Sequence, residues 1–73
     1  MNTGSIEVAG RLIPHAQARV LRLLVRGLTN GEIAKECGTS ASNVAQHVAR
    51  LCANLKASNR VQLAVLAVRN GIE

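Results

Sequence analysis

The fold is decided by TNGEIAKECGTSASNVAQHVARLCANL, residues 29–55, which contains two helix starts and one helix end. Thr29 and Glu32 have the spacing of a capping box, in which each side chain bonds the other residue's backbone amide. Gly38 can end the first helix in a left-handed conformation, and Ser40 can begin the second. Apolar residues then recur at helical spacing; they are Val44, Val48, Leu51 and Leu55. Two capped helices joined by a short turn predict a helix-turn-helix.

Two more helices are predicted on either side of this motif. Pro14 suits the first turn of a helix, where its missing N–H costs nothing, and apolar residues recur at helical spacing after it. Asn59 and Gln62 again have capping spacing, and Gly71 can end the helix that they begin. We therefore expect an all-α, four-helix domain over residues 12–73. Its helices should cover about 14–26, 30–37, 41–56 and 60–70.

The N-terminal segment MNTGSIEVAGR, residues 1–11, is small and polar and contains two glycines. Ile6 and Val8 alternate about Glu7, as in a short extended segment. The composition of the segment is instead typical of a flexible tail. We expect the tail, which would pack loosely or not at all.

Composition limits the classes of protein to which the chain can belong. Its 73 residues make one domain, and because it has no aromatic residue its core must come from aliphatic side chains. No apolar run approaches the roughly 18 residues of a membrane span. The N-terminus also lacks the basic and then apolar layout of a signal peptide. We expect a cytoplasmic protein with no membrane partner.

The net charge of +5 is unevenly distributed. No acidic residue lies between Glu36 and Glu73. The basic residues of that stretch are Arg50, Lys56, Arg60 and Arg69. Half of a small domain that carries only positive side chains indicates either a polyanionic partner, most often nucleic acid, or a basic surface kept for solubility. The neighbouring helix-turn-helix favours nucleic acid.

The outer face of the third helix carries side chains suited to reading DNA. Asn and Gln can each bond adenine through two hydrogen bonds, and Arg can do the same with guanine. The face is either a DNA-reading surface or an ordinary solvated face, and we favour DNA because solvated faces usually carry Glu and this face has none. Ala45 is small and allows a close approach to the groove. The candidate base contacts are Ser42, Asn43, Gln46 and Arg50.

Three other features are candidate phosphate contacts. Thr29 and Asn30 stand at the start of the second helix, where free N–H groups and the positive end of the helix dipole attract anions. His47, at the border of the third helix's outer face, is either a phosphate donor or a packed border residue. The first helix carries a basic stripe, which we interpret as a solvated face, with phosphate contact as the alternative. The stripe consists of Arg19, Arg22 and Arg26.

The last helix is apolar on nearly all sides, although a surface helix in a small bundle needs only one apolar stripe. One stripe must face the core. The second is either a homodimer interface, which we favour, or a surface covered by the N-terminal segment. The candidate interface residues are Val61, Ala64, Val65 and Val68.

The chain shows no pattern of a catalytic or metal site. Cys37 and Cys52 have neither disulfide-framework nor metal-ligand spacing, and we expect two buried thiols. His15 and His47 are far apart in the sequence and are not expected to bind metal. No nucleophile–base pair, carboxylate pair or phosphate loop has a useful spacing. We therefore expect no enzyme, no cofactor, no metal and no small-molecule ligand.

Residues 13–72 resemble the LuxR/GerE-type helix-turn-helix domain of bacterial transcription regulators. The resemblance rests on VLRLLVRGLTNGEIAKECGTSASNVAQHV, residues 20–48, and most specifically on its GLTNGEIA segment. The following L-x-x-N-L and the Asn59–Arg60 helix start extend it. It implies a four-helix domain of bacterial or phage origin. The third helix would enter the major groove, and the last would form a dimer on inverted-repeat sites.

The resemblance also assigns residues. It implies that Thr29 and Asn30 face phosphate and that Val44 and His47 lie at the DNA side of the third helix. The family usually has lysine at the positions of Ala45 and Asn54. Its first helix usually begins with a Thr cap and two acids, where this chain has Pro14, Gln17 and Arg19. We expect a stand-alone domain without a sensor domain.

Two functions from different classes follow. The leading interpretation is a sequence-specific, homodimeric regulator of transcription that binds double-stranded DNA at the nucleoid. The alternative is a protein-binding antagonist, which would pair through its last helix with a larger relative and block that relative's DNA binding. The absence of the family's lysines at Ala45 and Asn54 motivates this alternative.

Overall fold

The computed structural model describes residues 4–73, which form a β-hairpin followed by four helices. The strands are β1, Ile6–Val8, and β2, Arg11–Ile13. The helices are α1, His15–Val25; α2, Asn30–Cys37; α3, Ala41–Leu55; and α4, Arg60–Arg69. The expected four-helix, essentially all-α architecture is confirmed, and each helix end lies within one residue of its predicted position.

The helices begin where the sequence places polar caps. Thr29 and Glu32 form both bonds of the capping box at the start of α2. The Ser40 hydroxyl accepts a hydrogen bond from the Asn43 amide in the first turn of α3, and Asn59 Oδ1 accepts one from the Gln62 amide in the first turn of α4. Each cap satisfies an amide that has no partner inside its helix and stabilises the fold by about 1 kcal/mol.

The helices that form the motif end in left-handed residues. Gly38 closes α2 at φ 65°, as its sequence position predicts. Lys56 closes α3 at φ 56°, a conformation that few residues other than glycine adopt without strain. The local sequence gave no signal for this second stop, since Lys56 is an ordinary helix former.

The core is aliphatic and is centred on α3, which packs against the other three helices and β2. Val44, Leu51 and Leu55 supply its buried stripe. Fully buried partners come from the neighbouring elements, and they include Leu21, Ile33 and Leu63. Burying a side chain of this size stabilises a fold by about 1.5–3 kcal/mol. This packing fixes the opposite side of α3 toward solvent.

The N-terminal segment forms a hairpin and not the expected flexible tail. β1 and β2 pair antiparallel around the two-residue turn Ala9–Gly10. Val8 and Ile13 are both 0% exposed and belong to the core. Their burial holds the hairpin in place, so the prediction of a flexible tail is wrong for residues 6–11. The part of that prediction that concerns residues 1–3 lies outside the described residues.

Two further expectations concern the cysteines and the membrane. Cys37 and Cys52 are free, and both are half-buried against the core, so they are less enclosed than predicted. Within residues 4–73, no helix has both the length and the apolar character needed to cross a membrane.

Candidate nucleic-acid interface

α3 presents an exposed polar face on the side opposite the core. Ser42, Asn43, Gln46 and Arg50 are all exposed, as is the neighbouring Ala45. α3 has no acidic side chain, and Arg50 is its single fixed positive charge. The structure therefore brings the predicted base-reading residues together on one accessible surface.

Asn43 is held in place by its neighbours at the start of α3. Its backbone amide donates to Ser40 Oγ at 3.1 Å, and its side-chain Nδ2 donates to Thr39 Oγ1 at 2.9 Å. The second bond fixes the plane of the amide and leaves Oδ1 as an outward acceptor. Thr39 was not among the predicted site residues, because its role depends on the turn that precedes α3.

Val44 does not belong to the exposed face. Its side chain is 0% exposed and packs in the core. The resemblance placed Val44 at the DNA side of α3, but its side chain is enclosed in the core and is not available to contact DNA. The apolar spacing that placed Val44 with Leu51 and Leu55 was the correct signal.

His47 lies at the edge of the exposed face and is half-buried. Its Nδ1 atom is buried and has no hydrogen-bond partner in the described part of the chain. The capacity of this ring to bond an external group therefore lies at Nε2. The position fits both alternatives drawn from the sequence, since one edge of the ring packs and the other is available.

The start of α2 has fewer free donors than the sequence suggested. The capping box occupies the backbone amides of Thr29 and Glu32. Asn30 Oδ1 accepts a hydrogen bond from Arg60 Nη1, which leaves the Asn30 Nδ2 group as a side-chain donor. The Thr29 hydroxyl accepts from the Glu32 amide at 3.2 Å and also interacts with the Glu32 carboxylate. A phosphate at this helix end would meet these groups and the remaining amides of the first turn.

The same capping box lowers the pKa of Glu32. The Thr29 backbone amide donates to its carboxylate at 2.8 Å, and this bond is the main cause of a lowered Glu32 pKa. A bond from the Thr29 side chain lowers the pKa further. The ionised carboxylate is a counter-charge to the positive end of the helix dipole, and it disfavours a second anion beside it.

Two arginines outside the predicted site connect its elements. Arg60 Nη2 donates to the Leu28 carbonyl at 2.7 Å and, with the Asn30 bond, ties α4 to the start of α2. Arg19 Nη2 donates to the Glu36 carbonyl at 2.8 Å, near the end of α2. Arg19 is thus more than a member of a solvated stripe. Neither contact leaves a local sequence signal, since the partners are far apart in the chain.

Comparison with known families agrees with this architecture. The family model described as "Bacterial regulatory proteins, luxR family" matches residues 16–67, which span α1 to most of α4. The chain belongs to the luxR family. The resemblance drawn from GLTNGEIA is thereby confirmed, and the exposed α3 face is that of a helix-turn-helix DNA-binding domain of transcription regulators.

A curated relative of this luxR-family chain is the uncharacterized transcriptional regulatory protein YxjL of Bacillus subtilis (strain 168). The two are 39% identical over 56 residues, which is 77% of this chain and 26% of YxjL. The luxR-family chain therefore spans about a quarter of that relative. No solved structure matches the chain.

The luxR-family chain also exposes an apolar surface on α4. Val61, Val65 and Val68 are 72%, 45% and 56% exposed, and Ala64 is half-buried. The hairpin packs on the core beside α3 and leaves these side chains uncovered, so the alternative in which the N-terminal segment covers them is wrong for residues 4–11. The predicted interface residues thus share one accessible surface.

Proposed function

We propose that this luxR-family chain is a sequence-specific transcription regulator that binds double-stranded DNA as a homodimer. The observation that carries the proposal is the exposed, acid-free face of α3, whose opposite side is fixed in the core. Such a helix fits the major groove, where each base pair presents a distinct pattern of donors and acceptors. The family to which the chain belongs supports DNA as the ligand.

Four side chains are proposed to contact bases. Arg50 would bond guanine, and Gln46 and Asn43 would bond adenine or other base edges. Ser42 can donate or accept. Ala45 would let the helix approach the groove closely.

Thr29, Asn30 and His47 would contact phosphates, which position a protein on the duplex without reading sequence.

The homodimer is proposed to form through the apolar surface of α4, which consists of Val61, Ala64, Val65 and Val68. An exposed apolar surface of this kind marks an interaction site. Two-fold pairing of identical surfaces would place two α3 helices on an inverted-repeat site. The protein would then act in the cytoplasm, at the nucleoid.

A second candidate function uses the same apolar surface. α3 carries one fixed charge and has neutral residues at Ala45 and Asn54, so its own attraction for phosphate is weak. The chain would then pair through α4 with a larger relative and form a heterodimer that binds DNA poorly. This antagonist predicts a tight heterodimer and negligible DNA affinity of the homodimer.

The deciding experiment is a selection of bound sequences from a random duplex pool, performed with the purified protein at two salt concentrations. We expect the selection to recover an inverted repeat at both salt concentrations. A steep loss with salt and no motif would indicate general phosphate binding, driven by counterion release. No recovery at either salt would contradict the proposal and favour the antagonist.

A matched pair of variants controls that selection. The double variant of Gln46→Ala and Arg50→Ala should lose the motif, because it removes two proposed base contacts. Arg11→Ala removes one positive charge from the exposed edge of the hairpin and should recover the same motif as the wild type. Loss of the motif in Arg11→Ala would mean that removing one positive charge is enough to abolish specific binding, so the loss in the double variant could not be assigned to the α3 face.

A further inference from the structure

A cleft of about 250 Å³ lies between the start of α1, the end of α2 and α3. Side chains that can donate hydrogen bonds converge on it from all three directions: His15 and Arg19 from α1, Thr39 from the turn before α3, and His47 from α3. Among residues 4–73, no acidic side chain lines it. The cleft therefore has the chemistry of an anion site.

Arg19 is the cation of this cleft and is held in place. Its Nη2 group donates to the Glu36 carbonyl at 2.8 Å, although the side chain is exposed. One bond to a fixed carbonyl limits the rotation of the guanidinium and leaves its other N–H groups free to donate. An anchored guanidinium loses less entropy when it binds an oxyanion than a freely moving side chain would.

His47 and Thr39 complete the set of donors. Because Nδ1 of His47 is buried without a partner, Nε2 is the atom that can bond a group outside the ring. Thr39 Oγ1 accepts from Asn43 at 2.9 Å, so its hydroxyl proton remains to be donated. These groups differ in type, but each can donate to the same oxyanion.

The cleft borders the proposed DNA-reading face. Asn43 and His47 are four residues apart and therefore lie on one flank of α3. Asn43 is bonded to Thr39, which lines the cleft. A helix that occupies the major groove, about 12 Å wide, has the phosphate backbones along its flanks. The cleft is thus placed where a backbone phosphate would lie.

We propose that this cleft binds a DNA backbone phosphate, with Arg19 as the cationic donor and His47 and Thr39 as further donors. The inference rests on the proposed function and adds to it a phosphate site built largely from α1. Such a site would supply a positive charge for phosphate that α3 lacks, because Arg50 is the single fixed charge on α3 and is proposed to read bases. The neutralisation of phosphate must then come from other elements.

The alternative is that Arg19 contributes only to a diffuse positive field with Arg22 and Arg26. Arg22 is a matched control that tests this alternative. Arg22 and Arg26 line a different cleft, together with residues 71–73, and neither lines the cleft beside α3. Arg22 is exposed on the same helix as Arg19 and carries the same charge.

The test compares Arg19→Gln with Arg22→Gln in binding to a random-sequence duplex, by fluorescence anisotropy from 50 to 300 mM salt (about the range in which counterion release dominates). Gln is a neutral, polar replacement at both positions, and thermal melts verify that both variants fold. We expect the salt slope of Arg19→Gln to fall by about 0.9 per bound protomer. If the curves converge near 1 M, its affinity at 0.1 M drops about eight-fold per protomer. Arg19→Lys should restore the slope, and Arg22→Gln should keep it.

Each other outcome is informative. Equal slopes in the wild type and Arg19→Gln, with DNA bound by both, would overturn the phosphate site and leave the proposed function intact. Equal losses in the two Gln variants would also overturn the site, because they would show a diffuse field. Failure of the wild type to bind any duplex would overturn the proposed function together with the site.

Discussion

Arg60, the first residue of α4, donates a hydrogen bond to the side-chain oxygen of Asn30, the first residue of α2. The same guanidinium donates to the Leu28 carbonyl at 2.7 Å in the corner between α1 and α2. The side chain is half-buried, so water replaces these bonds poorly. One arginine therefore fastens the last helix to the start of the helix-turn-helix and fixes the orientation of the α4 surface relative to α3.

Arg60→Ala should destabilise the fold by about 2–3 kcal/mol, because it leaves the Leu28 and Asn30 oxygens without their charged donor. Urea unfolding followed by circular dichroism measures this. Arg69→Ala, at the exposed end of the same helix, is the control and should cost less than about 0.5 kcal/mol. All variants must be compared at one protein concentration, since dimerisation raises apparent stability. Similar losses in both variants would mean that the Arg60 bonds contribute little.

The contrast between these bonds and the helix caps shows what the sequence can reveal. Thr29, Ser40 and Asn59 act on amides three residues away, so their signals are local and predicted the helix starts correctly. Arg60 acts across 30 residues and Arg19 across 17. No local pattern records such a pairing. The helices could therefore be predicted, whereas the contacts that position them could not.

One part of the candidate site could likewise be predicted from the sequence, and another part could not. The exposed polar face of α3 followed from helical spacing, and the structure places Gln46 and Arg50 on it. Val44 was assigned to DNA by family resemblance although its spacing placed it in the core, and the spacing was right. The cleft beside His47 escaped prediction because three separate elements form it.

The hairpin was missed because its turn has an unusual residue. Ala9 and Gly10 both have positive φ, 51° and 79°, as in a type I′ turn. Such turns strongly favour Asn-Gly, and that pair would have predicted a hairpin. Ala at the first position is sterically strained at positive φ, and Asn is less strained there. The alternation of Ile6 and Val8 was therefore the one signal available, and it was too short to decide.

Ala9→Asn should stabilise the protein by about 0.5–1 kcal/mol, because it relieves strain in the turn. The midpoint of urea unfolding should rise accordingly. The matched control is Ala16→Asn, at an exposed position of α1, where the same substitution should destabilise slightly through lower helix propensity. A lower midpoint for Ala9→Asn would contradict the turn geometry, since only a left-handed position rewards asparagine.

Glu32 should make stability depend on pH. Its pKa in the folded state lies below the ordinary value of 4.5, mainly because of the bond from the Thr29 amide. The ionised carboxylate therefore stabilises the fold in full above pH 4.5, and this stabilisation is lost as the pH falls through the lowered pKa. Glu32→Gln should be less stable than the wild type at pH 7, and the difference should disappear toward the acid limit.

Unfolding by urea at a series of pH values tests the role of Glu32. Thr29→Ser keeps a hydroxyl and the backbone amide, so it should retain the wild-type pH profile. A constant difference between Glu32→Gln and the wild type across the acid range would show that the carboxylate is not preferentially stabilised in the fold.

Arg50 is expected to distinguish one base pair in each half-site. Arg50→Ala should weaken binding to the selected sequence by about 1–3 kcal/mol and relax the preference at one position, because a bidentate contact with a base is lost. Anisotropy titrations with duplexes changed at each position measure this. Arg11→Ala removes the same charge outside the interface and should preserve the preferences. Unchanged preference in Arg50→Ala would remove Arg50 from the base contacts.

The proposed homodimer depends on the apolar surface of α4. Val65 lies between Val61 and Val68 and is 45% exposed, so Val65→Glu should bring two like charges together across a two-fold interface. Sedimentation velocity should show a monomer, and affinity for an inverted repeat should fall while affinity for a single half-site is retained. Leu12→Lys also replaces an exposed apolar side chain by a charge, at a position that is 57% exposed and faces Glu7 across the hairpin, and it should remain dimeric. A dimeric Val65→Glu variant would place the interface elsewhere on the molecule.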